Sequence, residues 1–316
     1  MRPDEDRPDR GRFVRDQVHA LRALEGLDVE LHEFPPGARA LAAAAVELPR
    51  RYGARRPGRR RGGRFDVVHA HFGLTAWPAL GVAARVHALT VHGTDVRHPR
   101  TRLATAAVLP MIDILAAASP ALASELPGHA ARARALALPC GVDVERFRPL
   151  SRASARAELG LEPAAPYLLF GSDPERAEKR HDLAVALAEA CGAGLLSLGG
   201  IDPEQVPLWV NAANAVVVPS DREGFGLAVL EALACDVPVV ATPVGVHREA
   251  LEGVSGTLCA PFEIERWQAA LSPALHDGDH RIRGRSSAER YSAGAMAARV
   301  ADAWRAALAA DGRGHG

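Results

Sequence analysis

Two glutamates in the second half of the chain are spaced so that both can face one ligand. Glu223 and Glu231 lie in the stretch PSDREGFGLAVLEALACDVPVVATPVG, residues 219–245. The apolar residues up to Ser220 predict a buried strand and those after Gly226 predict a helix, so Glu223 lies in the connecting turn. Glu231 follows about two helical turns later on the same side. Carboxylates placed in this way can each accept hydrogen bonds from a pair of hydroxyl groups, such as those of a sugar or a ribose.

The turn that carries Glu223 also has the composition of an anion-binding loop. Gly224, Phe225 and Gly226 come directly before the predicted helix, whose first turn contains Leu227. Glycines at such a junction let backbone N–H groups approach a ligand, and a helix N-terminus favours phosphate. In an open parallel sheet, ligands bind beyond the carboxyl ends of the strands, where this turn falls. The spacing alone leaves a second interpretation open, in which the glycines form only a tight turn and the helical Glu231 faces solvent.

A single lysine stands out against the arginine-rich composition. The chain contains 38 lysines and arginines, and only Lys179, in AEKRHD (177–182), is a lysine. A compact ammonium suits a diphosphate group, so Lys179 is a candidate phosphate ligand. The alternative is that one lysine survives by chance in an arginine-biased sequence.

Histidines lie near two predicted strand ends in the first half of the chain. His69 and His71 belong to one predicted strand, and alternation places them on the same face, so at least one can be a packed core residue. His92 lies in VHGTD after the next strand and is followed by Thr94 and Asp95. These last two residues can equally cap the following turn.

Composition limits the class of protein. The 316 residues, 48% hydrophobic and 24% charged, are enough for two globular domains. A formal net charge of zero argues against a nucleic-acid partner. The sequence contains no apolar run long enough for a transmembrane helix, and residues 1–12 lack the apolar stretch of a signal peptide. Together these two features predict a cytoplasmic protein. The four cysteines lack metal-ligand spacing and are interpreted as reduced, mostly buried thiols.

Short apolar runs alternate with helical patterns along the chain, which predicts two doubly wound α/β domains with parallel sheets. The predicted domains are residues 1–143 and 144–290, and a C-terminal helix at 291–316 is expected to pack back on the first domain. The predicted strands are 28–34, 65–71, 87–93, 112–119, 167–171, 194–199, 215–220 and 238–242. The predicted helices include the segment from Phe13 to Leu21 and residues 75–86, 101–110, 179–191, 203–213, 226–235 and 263–275.

Two segments depart from this regular pattern. The first predicted strand follows a helix, whereas a doubly wound domain normally opens on a buried strand. The first strand of the N-terminal domain is therefore predicted to be missing, either because this domain has one strand fewer or because the true start lies upstream. Residues 50–64, RRYGARRPGRRRGGR, contain eight arginines. They predict a solvated loop or, alternatively, a patch that contacts anionic lipid at the inner face of the membrane or an anionic acceptor.

Several motifs together resemble retaining glycosyltransferases of the GT-B fold in family four, the glycosyl transferases group 1. The glutamate pair in EGFGLAVLEALACDVPVVAT resembles the family signature, and VVHAHFG (67–73), LTVHGTD (89–95), PCGVDVERFRP (139–149) and AEKRHD fall in the family's order. The resemblance implies two Rossmann-like domains with a cleft between them. It also implies transfer of a hexose, with retention, from a nucleotide-diphosphate sugar to a small-molecule or lipid-linked acceptor.

The resemblance implies roles for the matching residues. Glu223 would contact hydroxyls of the donor sugar, Glu231 the ribose hydroxyls and Lys179 the diphosphate. The family's arginine, five residues before the lysine, is replaced here by Pro174, and Arg176 is the nearest substitute. The amides of the turn before the helix would face the sugar and its phosphates, at Gly224, Phe225, Gly226 and Leu227.

First-domain residues are assigned in the same way. His92 would reach the donor from the first domain, and Gly11 is the candidate remnant of the family's Gly-rich loop. The remaining candidates near the donor are His71, Thr94, Asp95 and Gly171. Neither a cofactor nor a metal is expected, because the resemblance implies metal independence and the cations of the chain can stabilise the leaving diphosphate.

Two other functions stay open. The same architecture serves nucleotide-sugar epimerases, which need acid and base residues around the sugar ring. A non-catalytic nucleotide-sugar-binding protein, or an N-terminally truncated one, is the other alternative and is motivated by the missing first strand.

Overall fold

The computed structural model describes residues 11–54 and 64–313, which group into two compact units. The first unit contains the described residues up to Cys140 and those from Met296 onward, and the second contains Gly141–Ala295. Each unit is built around one parallel β-sheet, with helices in the connections between strands. The α/β class with parallel sheets, predicted from the sequence, is confirmed.

Most of the basic loop at 50–64 lies outside the described residues, as does the stretch before Gly11. The membrane contact predicted for this loop therefore stays a prediction. In the described part of the chain, no helix combines the length and apolar character needed to cross a membrane.

The described residues of the first unit form a sheet of parallel strands that lie side by side in chain order. The strands are β1 Phe65–His71, β2 Ala84–Val91, β3 Ile114–Ala117 and β4 Leu136–Ala137. The helices are α1 Arg12–Arg22, α2 Ala38–Tyr52, α3 Gly73–Leu80, α4 Thr94–Arg97, α5 Pro99–Val108, α6 Pro120–Ser124 and α7 His129–Arg134, with a 3-10 turn at Leu109–Met111.

The second unit has a sheet in the order β6-β5-β7-β8-β9. The strands are β5 Tyr167–Phe170, β6 Gly194–Ser197, β7 Ala215–Val218, β8 Val239–Ala241 and β9 Leu258–Cys259. The helices are α8 Arg152–Leu159, α9 His181–Ala190, α10 Val206–Ala212, α11 Leu227–Ala234, α12 His247–Leu251, α13 Ile264–His276, α14 Arg285–Glu289 and α15 Ala293–Arg313, and α15 continues into the first unit.

The strand order of the second sheet reverses between β5 and β7. From β5 the chain passes through α9 to β6 on one side, and from β7 it passes through α11 to β8 on the other. The two strands pair directly, Leu168 with Ala215 and Phe170 with Val217. The segments that leave their carboxyl ends therefore diverge, and such a switch point is where open α/β sheets bind ligands.

Apolar packing on both faces holds these two strands in place. All residues of β7 are buried, as expected for a continuous apolar run in a parallel sheet. Trp267 of α13 is fully buried in a cluster with Phe170 and Leu187. On α11, Leu230 and Leu233 belong to the buried face. This packing sets the positions of the turns that follow β5 and β7.

Segment 28–34, predicted as a strand, has no regular secondary structure. Among the described residues no strand precedes β1, and β1 pairs only with β2, so no neighbour receives the segment's backbone hydrogen bonds. Side chains bond to it instead. Arg22 Nε donates to the Val29 carbonyl over 2.8 Å, and the Tyr52 hydroxyl donates to Glu30 over 2.7 Å. The prediction was wrong because a strand needs a partner as well as an alternating pattern.

Some helix boundaries also differ from the prediction. The helix predicted at 75–86 ends at Leu80, and the residues from Ala84 onward belong to the largely buried strand β2. The helix predicted to begin at Lys179 begins at His181, and Lys179 instead ends a 3-10 turn. Helix α2 was not predicted.

Candidate active site

Lys179 and Glu223 form a buried ion pair at the switch point of the second unit. Nζ of Lys179 lies 2.6 Å from Oε2 of Glu223, and each side chain is 9% exposed. The Ser220 hydroxyl donates to the other carboxylate oxygen, Oε1, over 2.8 Å. Burial by itself raises the pKa of Glu223, but the Lys179 ammonium and other nearby groups outweigh it and lower that pKa. Glu223 is therefore an ionised carboxylate with Lys179 as its counter-ion.

Two loops bring these side chains together although they are 44 positions apart in the sequence. Lys179 ends the 3-10 turn after β5, and Glu223 lies in the turn after β7. The loops are joined by a backbone hydrogen bond, in which the N–H of Asp221 donates to the Glu178 carbonyl over 3.0 Å. Pairing of β5 with β7 thus places Lys179 and Glu223, the two side chains predicted to bind the donor, in direct contact.

Arg180, the residue after the lysine, makes the sharp bend between this turn and α9. It adopts a left-handed conformation, with φ 57° and ψ 54°, that is uncommon for residues other than glycine. Its guanidinium bonds to Asp182 over 2.8 Å and to Asp221 over 3.2 Å. These two contacts hold the strained bend and link it to the loop that carries Glu223.

The turn that carries Glu223 packs on the loop after β8. The N–H of Val246 donates to the Phe225 carbonyl over 2.8 Å. Gly245, with φ 59°, lies so close to the turn that a Cβ atom would overlap the Phe225 carbonyl oxygen and lie 2.9 Å from Glu223 Cβ. Glycine at position 245 therefore allows the two backbones to approach each other.

Helix α11 begins directly after this turn. Gly226, with φ 115°, precedes its first residue, Leu227, and no side chain caps the helix. Gly171 lets the end of β5 approach the first turn, because a Cβ at Gly171 would lie 2.8 Å from Ala228 Cβ. The first N–H groups of a helix have no intrahelical partner and can bind an anion. Phe225 is buried, 6.1 Å from the Tyr291 ring.

His247 is a buried neighbour of this turn that the sequence did not indicate. Its Nδ1 lies 2.8 Å from the Thr242 carbonyl, which can only accept, so Nδ1 carries a proton. The edge of its ring fills the space beside Gly226, where a Cβ would lie 2.5 Å from His247 Nε2. Burial lowers the pKa of His247, while the Glu223 carboxylate acts in the opposite direction. No local pattern could have revealed this contact, since it depends on how two loops pack.

The other residues predicted in this unit are less buried. The Arg176 guanidinium is 45% exposed and bonds to Glu178 of its own loop over 2.8 Å. Glu231 lies on α11 and is partly exposed. The structure therefore brings Lys179 and Glu223 together and leaves Arg176 paired within its own loop.

In the first unit, the rings of His69, His71 and His92 stack at the carboxyl ends of β1 and β2. The ring centroids are 4.9 Å apart for His69 and His71, and 5.2 Å apart for His71 and His92. Nδ1 of His71 lies 3.0 Å from Nε2 of His92. Phe13 of α1 packs on His92, with centroids 4.5 Å apart.

Two side chains that the sequence analysis missed bond to this stack. Trp304 Nε1 of α15 donates to His69 Nδ1 over 3.1 Å, and Gln17 Nε2 of α1 lies 3.4 Å from His71 Nε2. Gln17 is a polar residue on the buried face of α1, and its position among the apolar residues of that face could have indicated a buried polar contact. Trp304 lies far along the chain from the strands, so its partner depends on tertiary packing.

Asp95 anchors the loop that follows β2. Its carboxylate accepts hydrogen bonds from the N–H groups of His92, Gly93 and Gly73 over 3.1, 2.9 and 3.2 Å. Burial raises the pKa of Asp95 against the opposing effect of these bonds. This is the turn-capping arrangement that the sequence left open.

The remaining candidates of this unit lie at helix starts. Thr94 is exposed and begins α4. Gly11, with φ 71°, precedes α1, and its carbonyl accepts from the N–H groups of Val14 and Arg15.

Acidification is expected to destabilise the first unit through the stacked histidines. Burial lowers the pKa of His69 to about 4 and that of His92 to about 3, and it lowers the pKa of His71 as well. In the unfolded chain these groups titrate near 6.5, so below that pH the unfolded state binds more protons. The stability they contribute is present above pH 6.5 and is lost as the pH falls towards 4, by about 1–2 kcal/mol at pH 5 for each of His69 and His92.

Urea unfolding at pH 7 and pH 5 measures this effect. His69→Gln and His92→Gln should each reduce the loss of stability between the two pH values. His129→Gln, at an exposed position on α7, is the control and should leave the loss unchanged. Equal pH dependence in all three variants and the unmodified protein would contradict the prediction.

Comparison with known proteins decides the family. Residues 153–291 match the family described as glycosyl transferases group 1. A D-inositol 3-phosphate glycosyltransferase of Thermobispora bispora is 31% identical over 306 residues, covering 78% of this chain and 72% of the relative. The chain belongs to the glycosyl transferases group 1. A second D-inositol 3-phosphate glycosyltransferase, from Segniliparus rotundus, is 32% identical over 300 residues, covering 78% of this chain and 67% of the relative.

Solved structures show that this glycosyltransferase has the GT-B fold. Sucrose-phosphate synthase from Thermosynechococcus elongatus superposes with a TM-score of 0.69 at 22% identity, covering 94% of this chain and 93% of that one. HepE from Anabaena, solved in complex with UDP-glucose, gives a TM-score of 0.64 at 16% identity, covering 76% and 79%. The predicted family and fold are confirmed, and the matched region of the glycosyltransferase contains Lys179, Glu223 and Glu231.

Proposed function

We propose that this glycosyltransferase moves a sugar from a nucleotide-diphosphate sugar to a hydroxyl of a small phosphorylated polyol, with retention at the anomeric carbon and without a metal ion. The buried Lys179–Glu223 pair at the switch point carries the proposal. It sits where an open α/β sheet binds ligands, beside the uncapped N-terminus of α11.

The donor offers each member of the pair a new partner. Phosphate oxygens can replace Glu223 as acceptors for the Lys179 ammonium, and sugar hydroxyls can replace the ammonium as donors to Glu223. As the bond between the anomeric carbon and the phosphate oxygen breaks, negative charge develops on the diphosphate. Lys179 and the first N–H groups of α11 would stabilise that charge.

Retention follows if the acceptor approaches from the side of the leaving group. The acceptor oxygen then forms its bond to the anomeric carbon on the face from which the phosphate departs. The proton of the acceptor hydroxyl passes to an oxygen of the departing diphosphate. No side chain has to act as a nucleophile in this scheme.

The named relatives support the classes of acceptor and donor. The two relatives at 31% and 32% identity are both called D-inositol 3-phosphate glycosyltransferases, which favours an inositol phosphate as the acceptor. The structural neighbour solved with UDP-glucose favours a UDP-hexose as the donor. A lipid-linked acceptor is the alternative that the test includes.

An epimerase reaction on the same fold is less well supported by the geometry. Epimerisation needs a group at the sugar ring that can donate a proton. Glu223 is held as a carboxylate by Lys179 and Ser220, with a pKa below its usual value, and is a poor proton donor.

Donor binding can be tested by thermal shift with UDP-, GDP-, ADP- and TDP-sugars, since a specific ligand stabilises the protein by mass action. We expect one nucleotide class to raise the melting temperature. With that donor, D-inositol 3-phosphate should yield a glycoside of retained anomeric configuration by NMR, and EDTA should not lower the rate. Unphosphorylated inositol and a lipid-linked acceptor are the comparisons. Conversion of the donor to its epimer without acceptor would favour the epimerase, and binding without turnover would favour a non-catalytic role.

A further inference from the structure

The contact between His71 and His92 contains one proton, and its direction decides what His92 can offer a ligand. The two ring nitrogens, Nδ1 of His71 and Nε2 of His92, are 3.0 Å apart. A hydrogen bond between two neutral imidazoles needs one N–H and one bare nitrogen. The rings therefore cannot choose their tautomers independently.

The partner on the far side of His71 sets this direction. Gln17 is 8% exposed, and its amide Nε2, which can only donate, faces Nε2 of His71. Nε2 of His71 is therefore bare, and the proton of His71 lies on Nδ1. His71 then donates to Nε2 of His92, which places the proton of His92 on Nδ1.

His69, the third ring of the stack, has the opposite tautomer. The indole N–H of Trp304 can only donate, so His69 Nδ1 is bare, and His69 Nε2 donates to the Thr90 hydroxyl over 2.8 Å. His69 thus carries its proton on Nε2. It packs on His71 as a neutral ring and does not enter the chain of hydrogen bonds to His92.

We propose that Gln17 and His71 are positioning residues that hold His92 as a hydrogen-bond donor through Nδ1–H. Within the described residues no partner is found for Nδ1 of His92, so this N–H is left to meet an acceptor on a ligand. Phosphoryl and hydroxyl oxygens of a nucleotide-diphosphate sugar are such acceptors. The kinetic part of this proposal rests on the proposed function, whereas the tautomers belong to the ligand-free protein.

The tautomers can be read directly from two-bond 1H–15N correlation spectra of the full chain labelled with 15N-histidine. Single His→Gln variants assign the three rings among the 13 histidines. We expect His71 and His92 to be protonated on Nδ1 and His69 on Nε2. A His92 protonated on Nε2 would overturn the proposal, whether or not the chain transfers a sugar.

An isosteric change at Gln17 should reverse the direction of the hydrogen bonds that run from Gln17 through His71 to His92. The carboxylate of Gln17→Glu can only accept, so His71 must donate from Nε2 and present a bare Nδ1 to His92. His92 then donates from Nε2 and loses its outward N–H. Gln17→Met removes the bond without imposing a direction. We expect kcat/KM to fall about 10-fold or more in Gln17→Glu and by less than about 3-fold in Gln17→Met.

Variants of His71 separate positioning from packing. Asparagine places its amide where Nδ1 was and can still donate to His92, whereas glutamine reaches the position of Nε2 and cannot. We expect His71→Asn to keep most of the activity and His71→Gln to lose about 10-fold or more, with both proteins equally stable. Equal activity in the two variants would overturn the positioning role. If even the unmodified chain shows no transfer with any donor, the proposed function fails. The spectra would still show which ring nitrogens of His71 and His92 carry the protons.

Discussion

Replacement of Lys179 by alanine is expected to lower kcat/KM for the nucleotide-sugar donor by about 30- to 1,000-fold, which corresponds to about 2–4 kcal/mol of transition-state stabilisation. The ammonium lies 2.6 Å from the carboxylate of Glu223, which belongs to the turn before α11. Without it, developing charge on the leaving diphosphate loses its main counter-ion. Lys179→Arg should recover only part of the activity, because a planar guanidinium differs from an ammonium in shape and hydration.

The same substitution should also destabilise the second unit, and a second change separates the two effects. Loss of Lys179 leaves the Glu223 carboxylate buried without its counter-ion, which typically costs about 3–5 kcal/mol. In the double variant Lys179→Met, Glu223→Gln this unpaired charge is gone, so stability in urea should return while transfer stays low. Arg222→Ala, at an exposed cation next to Glu223, is the control and should keep its activity within about 3-fold.

An unchanged kcat/KM in Lys179→Ala would remove Lys179 from the donor site. Full recovery of transfer in the double variant would show instead that the pair serves the fold alone.

Replacement of Gly245 by alanine is expected to destabilise the second unit by about 2–4 kcal/mol and to abolish donor binding. The added Cβ would overlap the Phe225 carbonyl oxygen and lie 2.9 Å from Glu223 Cβ. These are atoms of the turn itself, so relief requires the turn to move. The cost combines overpacking with the strain of a left-handed alanine, since φ is 59°.

Gly253→Ala isolates the strain from the overlap. Gly253 is also left-handed, with φ 74°, but has nothing within 4 Å of the position of a Cβ. Its substitution should cost about 1 kcal/mol and leave the donor-induced thermal shift intact. The measurements are urea unfolding and thermal shift of both variants with the donor. Equal effects at the two positions would mean that the contact with the turn is unimportant.

Local pattern was sufficient for most strands of the two sheets. Runs such as 215–218 are buried on both faces in the structure, and a continuous apolar sequence of that length indicates such a strand. Segment 28–34 has strand-like composition but pairs with no described strand, so the same reasoning failed there. Strand formation depends on a neighbour, and the local sequence does not contain that information.

The candidate site divides in the same way. Residue types and motif order were enough to single out Lys179, Glu223 and His92, because phosphate needs a cation and sugar hydroxyls need carboxylates or imidazoles. The sequence did not indicate which residues contact these side chains. Pairing of β5 with β7 brings Lys179 onto Glu223, and α1 and α15 bring Gln17 and Trp304 onto the histidine stack.

The physical reason lies in the range over which each property acts. The chemical capacity of a side chain, the apolar run of a strand and the glycines of a turn are local and can be read from a few neighbouring residues. Burial, counter-ion and tautomer are set by groups that are distant in the chain, such as Trp304 on His69, and exist only once the sheets are packed. Tertiary packing therefore determines that Glu223 is ionised, that Lys179 is its counter-ion, and that each stacked histidine is neutral with its proton on one particular ring nitrogen.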